Sequence, residues 1–176
     1  FCINAITQNR WRMRDAEKVL EDITTIKAQP YFAGKGLRFW DENFFVDMDR
    51  AKAIIDGMIR ENLVMPWETT VRCNYLKEGM IDDEFMEKLA ASGCYLLSFG
   101  AESGCPRMLN AMKKDIFPED IIRAAEMSLA HGIIPQFSFM IGIPGESKSD
   151  MMATLRLIDE LIRLSDKVQV LGPQTF

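Results

Sequence analysis

The sequence predicts an α/β fold built on a parallel sheet, and three observations predict it. Five apolar segments read as strands, and each is separated from the next by a stretch with helical periodicity. The strands begin roughly thirty residues apart, the length of one strand–helix unit. At 176 residues, with 48% hydrophobic and 27% charged content, the chain is long enough for one buried core and too apolar for disorder. Strand alternating with helix implies parallel pairing through right-handed crossovers. Periodicity alone leaves a doubly wound sheet and part of a (βα) barrel both open.

The first helix is expected over 15–29, where Val19, Leu20, Ile23 and Ile26 recur at three- and four-residue spacing behind Asp15 as cap. The strand "GLRFW" (36–40) follows, then a helix at about 48–62 with Ala51, Ile54, Ile55, Met58 and Ile59 on one face and Asp47 or Asp49 as cap. "WETTVRC" (67–73) is the second strand, and the helix over 82–92 runs from Asp82 to a left-handed stop at Gly93. After "YLLSFG" (95–100) comes the short helix "PRMLNAMKK", whose lysines suit a helix C-terminus. "FPEDIIRAAEMSLAHG" places Pro118 in the first turn and Gly132 at the stop, and leads into "IIPQFSFMI" (133–141). The last helix opens on Ser147 with Asp150 reaching back, carries Met151, Leu155, Ile158 and Leu161 or Ile162 as its apolar face, and precedes "KVQVL" (167–171).

The net charge of −5 argues against a general nucleic-acid surface, with Arg10, Arg12 and Arg14 a local basic exception that reads as a solvated loop. No apolar run is long and unbroken enough to span a bilayer, and no signal peptide is visible. Cys2, Cys73, Cys94 and Cys105 form no C-x-x-C pair, so neither a zinc knuckle nor a disulfide framework is implied. Cys73 and Cys94 sit in or beside apolar runs as small core residues, and a reducing, cytoplasmic setting fits the four.

In either parallel architecture the working groups lie beyond the C-terminal ends of the strands. Those positions hold Asp41, Glu42 and Asn43 after the first strand and Arg72 and Asn74 after the second. The third contributes Ser98, Glu102 and Ser103, and the fourth "MIGIPGES" with Gly142, Gly145, Glu146 and Ser147. Each has a structural alternative: a turn, a salt-bridged arginine, or a strand-to-helix turn whose serine caps the helix. "GIPGES" lacks the ending of a P-loop and the spacing of a dinucleotide fingerprint. Together the clusters converge on one mouth. His131, beside Gly132, reads as a helix-end partner, which argues against a Ser-His or Cys-His triad.

The motifs "FCIN…RWRMRDAEKVLEDI", "LRFWDENFFVD", "VRCNYL", "GCYLLSFGAESGCPRMLNAMKK" and "FSFMIGIPGES" resemble the radical S-adenosylmethionine (radical SAM) enzymes. They resemble in particular the branch often preceded by a cobalamin-binding domain, which includes the anaerobic Mg-protoporphyrin ester cyclase type. The resemblance implies a partial (βα) barrel of parallel strands alternating with helices, whose first strand is missing from this chain. It also implies a four-iron four-sulfur cluster and SAM as cofactors, with cobalamin in reach through a further domain. The activity implied is reductive cleavage of SAM to a 5′-deoxyadenosyl radical that abstracts a hydrogen from a small-molecule substrate, fed by an electron donor such as flavodoxin or ferredoxin. Soft thiolates suit such a cluster.

Residue by residue, the resemblance makes Cys2 the third cysteine of the family's C-x3-C-x2-C loop and Phe1 the aromatic residue near the adenine. Asp41, Glu42 and Asn43 match the segment that receives the SAM amino group, with Glu42 the first choice, although the family more often reads Gly-Gly-Glu there. Glu102, Arg72 and Ser98 match positions near the SAM ribose and carboxylate, and Ile141 and Gly142 match the strand against the adenine. The first two cluster cysteines are absent, so the segment is expected to start just before the third, to stop short at its C-terminus, and to be inactive by itself. An exposed barrel edge is expected to favour self-association. Two other readings stand beside this one: an iron-independent (βα) barrel acting on a phosphorylated metabolite through "GIPGES", and a non-catalytic binding remnant.

Overall fold

The computed structural model describes residues 12–41 and 43–175. The elements in chain order are α1 (Ala16–Ala28), β1 (Leu37–Arg38), α2 (Met48–Arg60), β2 (Trp67–Val71), α3 (Asp83–Ala91) and β3 (Cys94–Glu102). Then come α4 (Pro106–Ala111), α5 (Pro118–Ala130), β4 (Ile134–Ile141), α6 (Lys148–Leu164) and β5 (Gln169–Thr175). All neighbouring strands pair in parallel, in the order β1-β2-β3-β4-β5.

That order decides what periodicity left open. A doubly wound sheet reverses its strand order at a switch point and carries helices on both faces. Here the order never reverses, so successive crossovers stay on one side and the sheet curls into a half-barrel with its helices outside.

Alternation along the strands separates the two faces. Trp67, Thr69 and Val71 of β2, Leu97, Phe99 and Ala101 of β3, and Phe137 and Phe139 of β4 are buried beneath the helices. Phe99 and Phe137 stack with centroids 5.2 Å apart, and Trp67 meets Phe39 edge-on at 5.4 Å. The Trp67 indole donates to Ser92 Oγ at 3.0 Å, so its one polar atom is satisfied inside the core. Helices α2 and α3 complete this layer with Ile54, Ile55, Met58, Phe85, Met86 and Leu89.

Helix ends follow local chemistry. Asp47 accepts from the Arg50 amide and Asp82 from the Phe85 amide, and Ser147 with Asp150 forms the reciprocal capping box of α6. Asp15 flanks α1 but makes no side-chain cap bond. The buried stripe of α6 differs from the expected apolar face. Asp150, Thr154, Leu157 and Leu161 face inward, while Leu155 is 47% exposed. Two of the four inward residues are polar, and their burial is sustained by hydrogen bonds that hydrophobic periodicity does not register.

Candidate functional site

The sheet face turned away from the helices is polar. Thr70 of β2 and Arg72 just past its end, Ser98 and Gly100 of β3, and Gln136 and Ser138 of β4 line a cavity of about 340 Å³. A closed (βα) barrel usually fills this space with branched apolar side chains. Polar residues at every second position instead leave a chamber that can hold a ligand.

At the top of β3 the backbone departs from a regular strand. Glu102 has φ +64, a left-handed conformation rare for a residue with a side chain, and the pairing to β4 slips between Gly100 and Glu102. The Glu102 carboxylate continues the inner-facing alternation of Ser98 and Gly100, and Lys114 donates to it at 2.7 Å. Gly100 lies beneath the pair. A Cβ there would stand 2.6 Å from Glu102 Oε1 and 2.9 Å from Lys114 Nζ, so the glycine makes room for the two charged tips. Arg72 reaches the same corner, donating from Nη2 to the Lys114 carbonyl at 2.6 Å. Its Nε is buried and has no hydrogen-bond partner among the described residues. A buried guanidinium N–H of this kind is complementary to an acceptor-bearing ligand such as a carboxylate.

The other expected residues divide. Asp41 is half-buried at the rim and its carbonyl accepts from Thr70 Oγ1 at 2.8 Å. Asn43 donates to Tyr75 Oη at 3.0 Å, and its Oδ1 is buried without a partner among the described residues. Ser98 lines the cavity and donates to Gln136 at 3.0 Å. Ile141 closes β4 opposite Thr175, and neither it nor Gly142 borders the cavity. Phe1, Cys2 and Glu42 lie outside the described residues.

Both loops at the mouth are explained by side chains on α6. In "AESGC", Ser103 Oγ contacts Thr154 Oγ1 at 3.1 Å and the Gly104 amide donates to the same hydroxyl at 3.0 Å. A Cβ on Gly104 would sit 2.6 Å from the Ala153 carbonyl, so this glycine permits the loop to lie directly on the helix. Asp150 accepts from Cys105 Sγ at 2.9 Å, pairs with Arg107, and accepts from the Ser147 amide at 2.8 Å. Hydrogen bonds from Cys105 first, then from Arg107 and Ser147, hold its carboxyl well below the usual range. In "GIPGES", Gly142 and Gly145 take φ of +79 and +82, and Glu146 Oε2 accepts from the Gly142 amide at 2.6 Å. A carboxylate thus occupies an amide that a phosphate would need.

Among the described residues no group of three His, Cys, Asp or Glu side chains converges to hold a metal. Cys73, Cys94 and Cys105 are buried and free. Burial pushes the Cys73 thiol up to about 12 and raises Cys94 as well, so neither is a ready thiolate. His131 behaves as a helix-end residue, its Nδ1 2.9 Å from the Met127 carbonyl.

Lys114, Gln136 and Gly100 also border the cavity, and no sequence motif singles them out. A signal was present in β4, where Gln136 and Ser138 interrupt "PQFSFM" at every second position, although central parallel strands ordinarily read as apolar runs.

Residues 1–158 match the family model described as the Radical SAM superfamily. The chain is 28% identical over 162 residues to an uncharacterized methyltransferase of Pyrococcus horikoshii, covering 92% of this chain and 34% of that protein. It is 24% identical to the cytidylyl-2-hydroxyethylphosphonate methyltransferase of Streptomyces wedmorensis, over 90% of this chain and 30% of that one. To the anaerobic magnesium-protoporphyrin IX monomethyl ester cyclase of Rubrivivax gelatinosus it is 21% identical, over 89% and 27%. The chain therefore spans about a third of the length of these curated relatives. Among solved structures, the radical SAM methyltransferase TsrM of Kitasatospora setae, with cobalamin and a [4Fe-4S] cluster bound, superimposes with a TM-score of 0.73 at 20% identity, over 85% of this chain and 29% of that one. The cobalamin-dependent radical enzyme OxsB gives 0.72 at 18% identity, over 84% and 22%.

Proposed function

The chain belongs to the radical SAM superfamily, and from that premise we propose that it is the core of an enzyme that binds SAM across the C-terminal mouth of the half-barrel and cleaves it reductively. The observation that carries this reading is the corner where Arg72, with its unpartnered Nε, meets the Glu102–Lys114 pair above Gly100. Buried and half-buried charges of this kind, placed over an open polar cavity, suit a ligand that carries a carboxylate and hydroxyl groups.

In this reading Glu102 accepts from the ribose hydroxyls, Arg72 donates to the carboxylate, and Ser98 faces the same ligand from the neighbouring strand. Asp41, Glu42 and Asn43 receive the amino group, and Phe1 lies near the adenine. The backbone of Ile141 and Gly142 flanks the adenine on its other side. Because the Gly142 amide is held by Glu146, that strand end contributes carbonyl oxygens and van der Waals contact rather than a donor. Cys2 would be one of the thiolates that hold the cluster. A four-iron four-sulfur cluster supplies, when bound, the electron that breaks SAM into methionine and a 5′-deoxyadenosyl radical. The chain's own contribution is to fix SAM by its polar ends, which holds the scissile bond in one orientation over the chamber.

A small-molecule substrate, a flavodoxin- or ferredoxin-type electron donor, and cobalamin held by a further domain complete the proposal. No helix among the described residues is long and apolar enough to cross a membrane, and buried free thiols suit a reducing cytoplasm.

The test uses the full gene product, reconstituted anaerobically with iron and sulfide and reduced with dithionite. It is expected to show cluster absorbance and to release 5′-deoxyadenosine from SAM. Absence of both refutes the proposal.

A further inference from the structure

Sheet register places Thr70, Ser98, Gln136 and Gln169 in one row across β2, β3, β4 and β5. The side chains join the row as well. Ser98 Oγ donates to Gln136 Oε1 at 3.0 Å, and Gln136 Nε2 donates to Gln169 Oε1 at 2.8 Å. The row lies one level below Arg72, on the inner face, at the depth where a closed barrel would pack a layer of apolar side chains.

Its hydrogen-bonding capacity is unbalanced. Each glutamine amide carries two N–H donors, and the bond between the two uses one of Gln136's. Among the described residues, one N–H on Gln136, which borders the cavity, and both on Gln169, exposed beside it on β5, remain for a ligand. Of the carboxylates on this face, Glu68 is held by Arg38 at 3.0 Å and by Tyr95 Oη at 2.6 Å, and Glu102 has Oε1 on Lys114, with Oε2 kept for the SAM hydroxyls at the level above. Arg38 and Arg72 border the same cavity and add further N–H groups. Among the described residues the cavity is thus bordered by three cations, Arg38, Arg72 and Lys114, and by no carboxylate.

We infer that the substrate is a small molecule bearing an oxyanion (a carboxylate, phosphate or phosphonate) seated on Gln136 and Gln169 beneath SAM. The inference rests on the reading that places SAM at the mouth and names the substrate class of that same site. Gln136 is the specificity-determining residue: its donor makes a charge-assisted bond to an oxyanion, a weaker neutral one to an esterified analogue, and none to a hydrocarbon. A site built to hydrogen-bond its ligand discriminates strongly against one that lacks the group.

The experiment is calorimetry on the reconstituted full gene product with SAM present and no reductant. The probes are 2-hydroxyethylphosphonate and its neutral dimethyl ester. The phosphonate is expected to bind saturably, the ester at least about tenfold more weakly, and Gln136→Leu to weaken the phosphonate by about tenfold, the scale of one lost hydrogen bond to a charged group. If Gln136→Leu fails to fold, Gln169→Leu on the exposed edge strand makes the same test. No saturable phosphonate binding, equal binding of the ester, or full affinity in folded variants overturns the inference. Release of 5′-deoxyadenosine by the wild-type preparation separates the two readings. If it is present while the probes fail, this inference alone falls; if it is absent, the reading beneath it falls too.

Discussion

The Cys105 thiol donates to Oδ1 of Asp150 across 2.9 Å, linking the loop after β3 to the first turn of α6. The other oxygen of the same carboxylate takes Arg107 and the Ser147 amide, and Arg107 also donates to the Gly145 carbonyl at 2.9 Å. One 7% exposed side chain therefore ties together the two loops that frame the mouth.

Acid should loosen this junction. The folded-state carboxyl of Asp150 is held below its ordinary value, so its contribution is fully present above the unfolded pKa, about 4. It is lost as pH falls through the folded value. Melting of the wild type and of Asp150→Asn compared between pH 7 and pH 3 should show a difference in Tm that is largest at neutral pH and shrinks below about pH 4. A constant difference would remove the carboxylate from this account.

Two glycines of β3 and its loop should respond differently to alanine. At Gly104 the added carbon meets the Ala153 carbonyl and the Thr154 Cα at 2.6 and 2.8 Å, and backbone cannot step aside cheaply. Gly104→Ala should cost about 1–3 kcal/mol in denaturant unfolding. Gly100→Ala meets only the movable tips of Glu102 and Lys114. It should unfold near the wild-type midpoint and weaken SAM binding by about tenfold.

Trp67 fills the core between β2 and the aromatic pair Phe39 and Phe44, with no exposed surface. Trp67→Ala should destabilise the fold by about 3–5 kcal/mol, measured by urea unfolding. A loss under about 1 kcal/mol would mean that the cavity collapses or that the ring contributes little.

Burial raises the Cys73 and Cys94 thiols. Both should resist iodoacetamide in the folded protein at pH 8 and label fully in guanidinium, as peptide mass mapping would show. Rapid native labelling of either would contradict the packing described, and loss of cluster absorbance in Cys73→Ala would make that thiol a ligand.

The fold was legible because each helix start and stop is local chemistry. Asp47, Asp82 and Ser147 cap where their spacing indicates, and Gly93 and Gly132 turn left-handed at φ +99 and +73. Barrel and doubly wound sheet differ only in strand order, which no local pattern encodes, so periodicity left them open. Arg72 and Glu102 were legible as strand-end polar residues and meet at one corner through Lys114, whereas Ser98 lies one level lower, inside β3 and bonded to Gln136. Lys114 was not legible, because its contact with Glu102 is made by the chain returning after α4, twelve residues on, which no local pattern encodes. The α6 face was misread for a related reason: Asp150 and Thr154 are buried by partners far away in sequence, Cys105 and Ser103.

SAM affinity at the Glu102 corner tests the central claim most directly. Calorimetry on the reconstituted full gene product should give saturable SAM binding, weakened by about tenfold or more in Glu102→Ala. The same titration should be unchanged in Leu155→Ala, on the exposed face of α6. Equal affinity in a folded Glu102→Ala protein would contradict the placement of SAM at this mouth.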